Sequence, residues 1–97
     1  MEYEWDEAKR LNNIEIHGYD FADAHKVFES DANISVVFED IRKDYGEARY
    51  TLLAYFATRL TVIVRTLRAT ERIRIISFRN ANSREVKLYE QEIKPSR

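Results

Sequence analysis

The residues of this 97-residue chain that could do chemistry are mostly arginines. Positions 49 to 84 hold eight basic residues, all arginine: Arg49, Arg59, Arg65, Arg68, Arg72, Arg74, Arg79 and Arg84. The same stretch holds one acid, Glu71. A guanidinium offers a planar fork of donors that matches two oxygens of a phosphate or carboxylate. As a group these residues point to an anionic ligand. For any single arginine the competing explanation is a pair with one of the chain's own carboxylates. Other reactive groups are sparse. His17 precedes Gly18. It is either an acid–base group titrating near neutrality or a cation capping the negative end of a helix. His25 lies between Ala24 and Lys26 and reads as surface, and two histidines at this spacing form no metal signature. Glu47 stands just before a strand-like run, where it is either a general base beside the arginines or a salt-bridge partner of Arg49. Tyr89 is a core residue or a hydroxyl turned towards a substrate.

Composition narrows the classes. Apolar residues are 44% and charged residues 34%, the balance of a globular protein. The length suits a single domain, 1–97, with a thin core. There is no cysteine, which excludes disulfides, thiolate metal sites and a cysteine nucleophile. That absence is compatible with a cytoplasmic location. No membrane-spanning or signal-like run occurs, and the two glycines, Gly18 and Gly46, are too far apart to build a phosphate-binding loop. The net charge of −1 conceals a dipolar chain. Residues 1–48 carry five Lys/Arg against thirteen Asp/Glu, whereas residues 49–97 carry eleven against four. Such asymmetry marks either a polyanion-binding face or pairing between the two halves.

The elements that must position these groups can be read from periodicity. A helix is expected over 6–17, capped by Asp6 and stopped by Gly18, with Ala8, Leu11 and Ile14 at helical spacing. A short second helix is expected over 21–29, opened by Asp20, with Phe21, Ala24, Val27 and Phe28 on one face. Four strands follow, at 34–38, 49–56, 60–67 and 72–79, separated by a polar connection over 40–47 and a turn over 68–71. Asn82 and Glu85 have the form of a capping box for a last helix over 83–92, which turns Val86 and Tyr89 to the sheet. The fold class is α+β: a small antiparallel four-stranded sheet, two N-terminal helices and one C-terminal helix, the helices covering one sheet face. Strict alternation puts Arg59, Thr61, Ile63 and Arg65 on one face of the third strand. In the fourth it groups Arg72 and Arg74 with Ile76 and Phe78, and Arg79 with Ile73, Ile75 and Ser77.

Four blocks then form a pattern. They are Glu4-Trp5-Asp6 with Lys9 and Asn12; His17-Gly18 with Phe21, Ala24 and Phe28; Gly46-Glu47-Ala48-Arg49; and Arg74-Ile75-Ile76-Ser77-Phe78-Arg79 followed by Ala81, Arg84-Glu85 and Tyr89. In this order, from residue 4 to residue 89, the chain resembles the BrnT family of toxins from bacterial type II toxin–antitoxin modules. The resemblance implies a RelE-like fold and metal-independent cleavage of RNA that stops translation, with no cofactor. It also implies a cognate BrnA-like antitoxin that forms a hetero-oligomer with the toxin and contacts DNA through its own segment. The family usually has a basic residue before the histidine, where this chain has Ile16.

Residue chemistry laid on these blocks gives the expected roles. Glu47 or His17 is the base, and Arg49 and Arg79 hold the scissile phosphate. Arg59, Arg65, Arg68 and Arg74 contact flanking phosphates, with Lys9 and Tyr89 as further RNA contacts. No metal is required, because RNA brings its own nucleophile, the 2′-hydroxyl. The alternatives are a non-catalytic module that binds antitoxin or RNA, and a structural domain whose arginines pair internally.

Overall fold

The computed structural model describes residues 2–30, 34–40, 47–68 and 71–93. The expected connection over 41–46, with Gly46, and positions 69–70 of the expected turn lie outside the described residues. The element order is β1 (Glu2–Glu4), α1 (Glu7–His17), a 3₁₀ turn (Phe21–Asp23) running into α2 (Ala24–Phe28), β2 (Val36–Asp40), β3 (Arg49–Phe56), β4 (Arg59–Arg68), β5 (Arg72–Asn80) and α3 (Ser83–Ile93). The expected helix limits hold to within a residue or two. Asp6 accepts from the Lys9 amide at 3.0 Å. Gly18 closes α1 at φ 80°, its N–H donating to Ile14. Asn82 and Glu85 exchange two hydrogen bonds of 2.9 Å at the start of α3, completing the capping box.

The sheet has five strands rather than four, in the order β1-β5-β4-β3-β2. It is not wholly antiparallel, because β1 runs parallel to β5. Three residues reading Glu-Tyr-Glu carry no strand signature of their own. Long-range contacts hold the strand in place: Arg72 bridges Glu2 and Glu4, Arg74 bridges Glu4 at 2.8 Å, and Tyr3 packs against the core.

The helices also cover both faces, not one. Phe21, Ala24 and Val27 pack on Leu52, Ala54, Ile63, Ile75 and Phe78. Tyr89 packs on Leu53, Leu60 and Val62 from the other side, with Val86 and Leu88 against this second cluster. The reason lies in the strand sequences. Leu52-Leu53-Ala54 and Val62-Ile63 are apolar at both parities, so each face needs a lid. No helix is long and apolar enough to cross a membrane.

Helix α1 departs from its expected apolar docking. Leu11 is 55% exposed, and the buried residue of α1 is Asn13. The Asn13 amide donates to the Phe78 carbonyl at 2.7 Å and accepts from the Phe78 N–H at 3.3 Å. It thus satisfies the edge of β5 beyond the end of β1, as a neighbouring strand would.

Candidate functional site

Register decides which arginines meet. Val64 lies opposite Ser77 but Arg65 lies opposite Ile75, so Ile76 has no partner in β4 and forms a bulge. Strict alternation therefore fails in β5. The bulge turns Phe78 to the same face as Ile73 and Ile75, and it turns Arg79 to the face of Arg72 and Arg74. The face opposite α2, called the open face below, thus gathers Arg49, Arg68, Arg72, Arg74 and Arg79.

One row crosses the whole sheet. Asp40 stands opposite Arg49, Arg49 opposite Thr66, Thr66 opposite Arg74, and Arg74 beside Glu4. Thr66 is buried at its centre and donates to the Ala48 carbonyl at 2.7 Å. Glu47 adjoins the row, 3.7 Å from Arg49 and 3.6 Å from Arg68. The hydrogen bond from Arg74 holds the Glu4 carboxyl below its ordinary range, and Arg72 adds to that field. Four residues along β4, roughly 13 Å away, Val62 stands opposite Arg79. Arg79 grips Glu85 with two parallel bonds of 2.9 Å. Glu85 therefore caps α3 and aims an arginine at once.

Between the row and Arg79 lies a cavity of about 420 Å³. Phe38, Leu53, Val64 and Leu88 are its apolar lining, and Glu39, Asp40, Arg79, Arg84 and Glu85 are among the polar groups at its boundary. A volume of this size takes a small-molecule-sized group.

The remaining expected site residues fall elsewhere. His17 and Lys9 line a groove on α1 with Asn12, Asn13, Ile16 and the bulged Ile76. That groove borders β5 between Arg74 and Arg79 but is separate from Glu47. Ile16 is 64% exposed there. Arg59 starts β4 opposite Phe56, at the far end of the β3–β4 ladder from Arg49. Arg65 faces away from the row. Its guanidinium lies 5.0 Å from the Phe28 ring and 5.6 Å from the Tyr50 ring. Its Nε and Nη1 are buried without hydrogen-bond partners, and burial draws its pKa down. Tyr89 is buried, its ring edge-to-face with Tyr55, and its hydroxyl donates to the Ile34 carbonyl at 2.8 Å. Burial pushes its pKa up. It anchors the approach to β2.

Sequence reasoning missed Asp40, Thr66 and Glu4 as members of the open face. Only the register links them, and β1 had no strand signal by which to expect it. Among the described residues no group of three or more His, Asp or Glu is placed to hold a metal ion.

None of the curated proteins matches this chain. A family model described as "Ribonuclease toxin, BrnT, of type II toxin-antitoxin system" matches residues 5–85. Among solved structures, the chain is similar to the ribonuclease toxin BrnT of Brucella abortus, known from a 1.1 Å crystal structure. The likeness has a TM-score of 0.68 at 29% identity and covers 86% of this chain and 99% of that one. With most of its length matched by the family model, the chain belongs to the BrnT family of ribonuclease toxins of type II toxin–antitoxin systems.

Proposed function

We propose that this chain is the toxin of a type II module and acts in the cytoplasm as a metal-independent endoribonuclease on a RelE-like scaffold. The observation that carries the reading is Glu47 set between Arg49 and Arg68 at one end of an arginine row. RNA needs three things from such a site. A base must take the 2′-hydroxyl proton, donors must hold the crowded phosphorane, and the 5′-oxygen must leave with a proton. Glu47 is the base in this reading. As the proton leaves, O2′ bonds to phosphorus, and the bond from phosphorus to O5′ breaks, the leaving O5′ taking a proton from solvent water. The products are a 2′,3′-cyclic phosphate and a 5′-hydroxyl end. Arg49 and Arg79 stabilise the anionic phosphorane, and Arg68 and Arg74 hold flanking phosphates. Their present carboxylate partners are exchanged for phosphate oxygens when RNA arrives. His17, with Lys9, is the alternative base, since its groove borders the same strand. Arg65 belongs in this reading to packing rather than to RNA, because it is clasped by two rings on the opposite face.

The partner is a BrnA-like antitoxin that forms a hetero-oligomer with this chain. Charge complementarity suits the open face to an acidic antitoxin segment, and the edge strand β2 suits strand addition. DNA is contacted only through the antitoxin.

One observation favours a second reading, a non-catalytic module that binds antitoxin or RNA. Arg49, Arg68, Arg72, Arg74 and Arg79 each have a carboxylate within 4 Å, so internal pairing alone balances their charges. Inducing the chain alone, and then with its neighbouring gene product, separates the two readings. The expected result is growth arrest with RNA fragmentation, relieved by the neighbour and lost in Glu47→Ala and Arg79→Ala. Normal growth with intact RNA, from protein shown to be folded, would establish the non-catalytic module instead.

A further inference from the structure

We infer that the cavity beside Asp40 is a base-specificity pocket that takes the guanine of the RNA strand lying along the arginine row. The inference rests on the ribonuclease reading for its ligand class, and it adds which base is read and by which residue.

Three observations carry it. The first is position. The cavity occupies the interval along β3 and β4 between the Arg49 row and Arg79. Arg49 and Arg79 reach the scissile phosphate from the two ends of that interval, so the adjoining base lies over it. The second is the character of the walls. Phe38 and Leu88 offer apolar surface to the flat face of an unstacked base, and unstacked bases are what sequence-reading RNA proteins bind. The third is Asp40. It shares the open face with Phe38, lines the cavity, and stands opposite Arg49 in the ladder. One carboxylate therefore belongs both to the pocket and to the phosphate-holding row.

A carboxylate is an acceptor only. Of the four RNA bases, guanine alone presents two adjacent N–H donors on its Watson–Crick edge, at N1 and at the 2-amino group. Two parallel bonds to one carboxylate follow from that geometry, as they do for a guanidinium. Adenine offers its 6-amino donor beside an acceptor nitrogen, which would meet the carboxylate unfavourably. Cytosine likewise sets an acceptor beside its donor. Uracil flanks its single donor with two carbonyls. Arg49 stands opposite Asp40 in the ladder, so guanine is read at the step next to the held phosphate.

The test uses binding, so it does not require turnover. Short 2′-O-methyl oligonucleotides, which lack the nucleophile, carry G, A, C, U or inosine at one position in an otherwise fixed sequence. Their affinities are measured for the wild-type chain and for Asp40→Asn, with folding of both checked by circular dichroism. The wild type should prefer G by about tenfold or more, the discrimination of one good bidentate pair. Inosine, which lacks only the 2-amino group, should lose most of that preference. In Asp40→Asn, G and inosine should bind alike. Equal affinity for all five in the wild type, or no binding of any of them, overturns the inference. So does a guanine preference that survives Asp40→Asn. If Asp40→Asn fails to fold, the inosine comparison in the wild type decides alone. Cleavage of natural RNA without guanine preference leaves the ribonuclease reading standing while the pocket assignment falls. Guanine-selective binding with no cleavage does the reverse.

Discussion

Arg65 and Arg79 stand on neighbouring strands and leave the sheet on opposite sides. Arg79 meets a carboxylate through two hydrogen bonds, and that carboxylate also caps a helix. Arg65 meets no carboxylate among the described residues and lies between the rings of Phe28 and Tyr50, with two nitrogens buried. The difference separates two uses of one residue type. On the face covered by α2, the guanidinium is a flat, weakly hydrated plate that fills space against aromatics. On the open face it is a fork held in place by an exchangeable oxygen pair, as an anion-binding surface requires. The bulge at Ile76 decides the allotment. Without it, Arg79 would share a face with Ile75 and leave the open face.

Substitutions can break or sharpen this contrast. The largest effect is expected at Arg79. Arg79→Ala should lower the RNA cleavage rate about 10²–10³-fold, the usual loss for one central donor to a developing oxyanion. Thermal melting should change little by comparison, because the lost pair is partly solvated. Next comes Asn13, which supports β5 close to the bulge. Asn13→Ala leaves the Phe78 N–H and carbonyl without partners in a buried setting and should cost about 1–3 kcal/mol in denaturant unfolding. On the covered face, Arg65→Met keeps the apolar stem and removes a half-buried charge. Its unfolding free energy should stay within about 1 kcal/mol of the wild type, with cleavage retained. The smallest effect belongs to the rim. Arg72→Ala removes exposed bridges to Glu2 and Glu4 and should cost less than about 1 kcal/mol, falling further in high salt.

The Glu4 carboxyl gives the comparison a pH signature. Its pKa is lower folded than unfolded, chiefly through the Arg74 hydrogen bond. Its stabilisation is therefore complete above the unfolded value and is lost as pH falls through the lowered folded one. Glu4→Gln should be less stable than the wild type at neutral pH. The two unfolding curves should converge in acid, below the folded value. A constant gap across that range would assign the difference to something other than ionisation.

Much of the architecture was legible in the sequence because its signals are local. Asp6, Gly18, Asn82 and Glu85 mark helix ends by caps that involve a few neighbouring residues. Strands β3 to β5 declare themselves by β-branched and aromatic runs. What escaped depends on partners distant in sequence. β1 is held by residues some seventy positions away, through its pairing with β5, the bridges of Arg72 and Arg74 to Glu2 and Glu4, and Tyr3 packed against the core. The second lid on the sheet follows from apolar residues at both parities, a pattern easily taken for one thick core. The bulge escaped as well, since nothing in Arg-Ile-Ile-Ser-Phe-Arg marks Ile76 as the extra residue and only the β4–β5 register reveals it. At the candidate site, Glu47 beside Arg49 was legible from their spacing. Asp40 was not, because only the β2–β3 register brings it opposite Arg49. Tyr89 was open between a core residue and an RNA contact, and the structure buries its ring and turns its hydroxyl to the Ile34 carbonyl.

The division of labour between the two faces is tested most directly by one set of cleavage rates. Purified wild type, Arg79→Ala and Arg65→Met are compared on one labelled RNA, with folding verified for each. The expected result is cleavage by the wild type and Arg65→Met at similar rates, and loss of about two orders of magnitude or more in Arg79→Ala. Equal rates for wild type and Arg79→Ala, or loss confined to Arg65→Met, would contradict the assignment of the reaction to the open face.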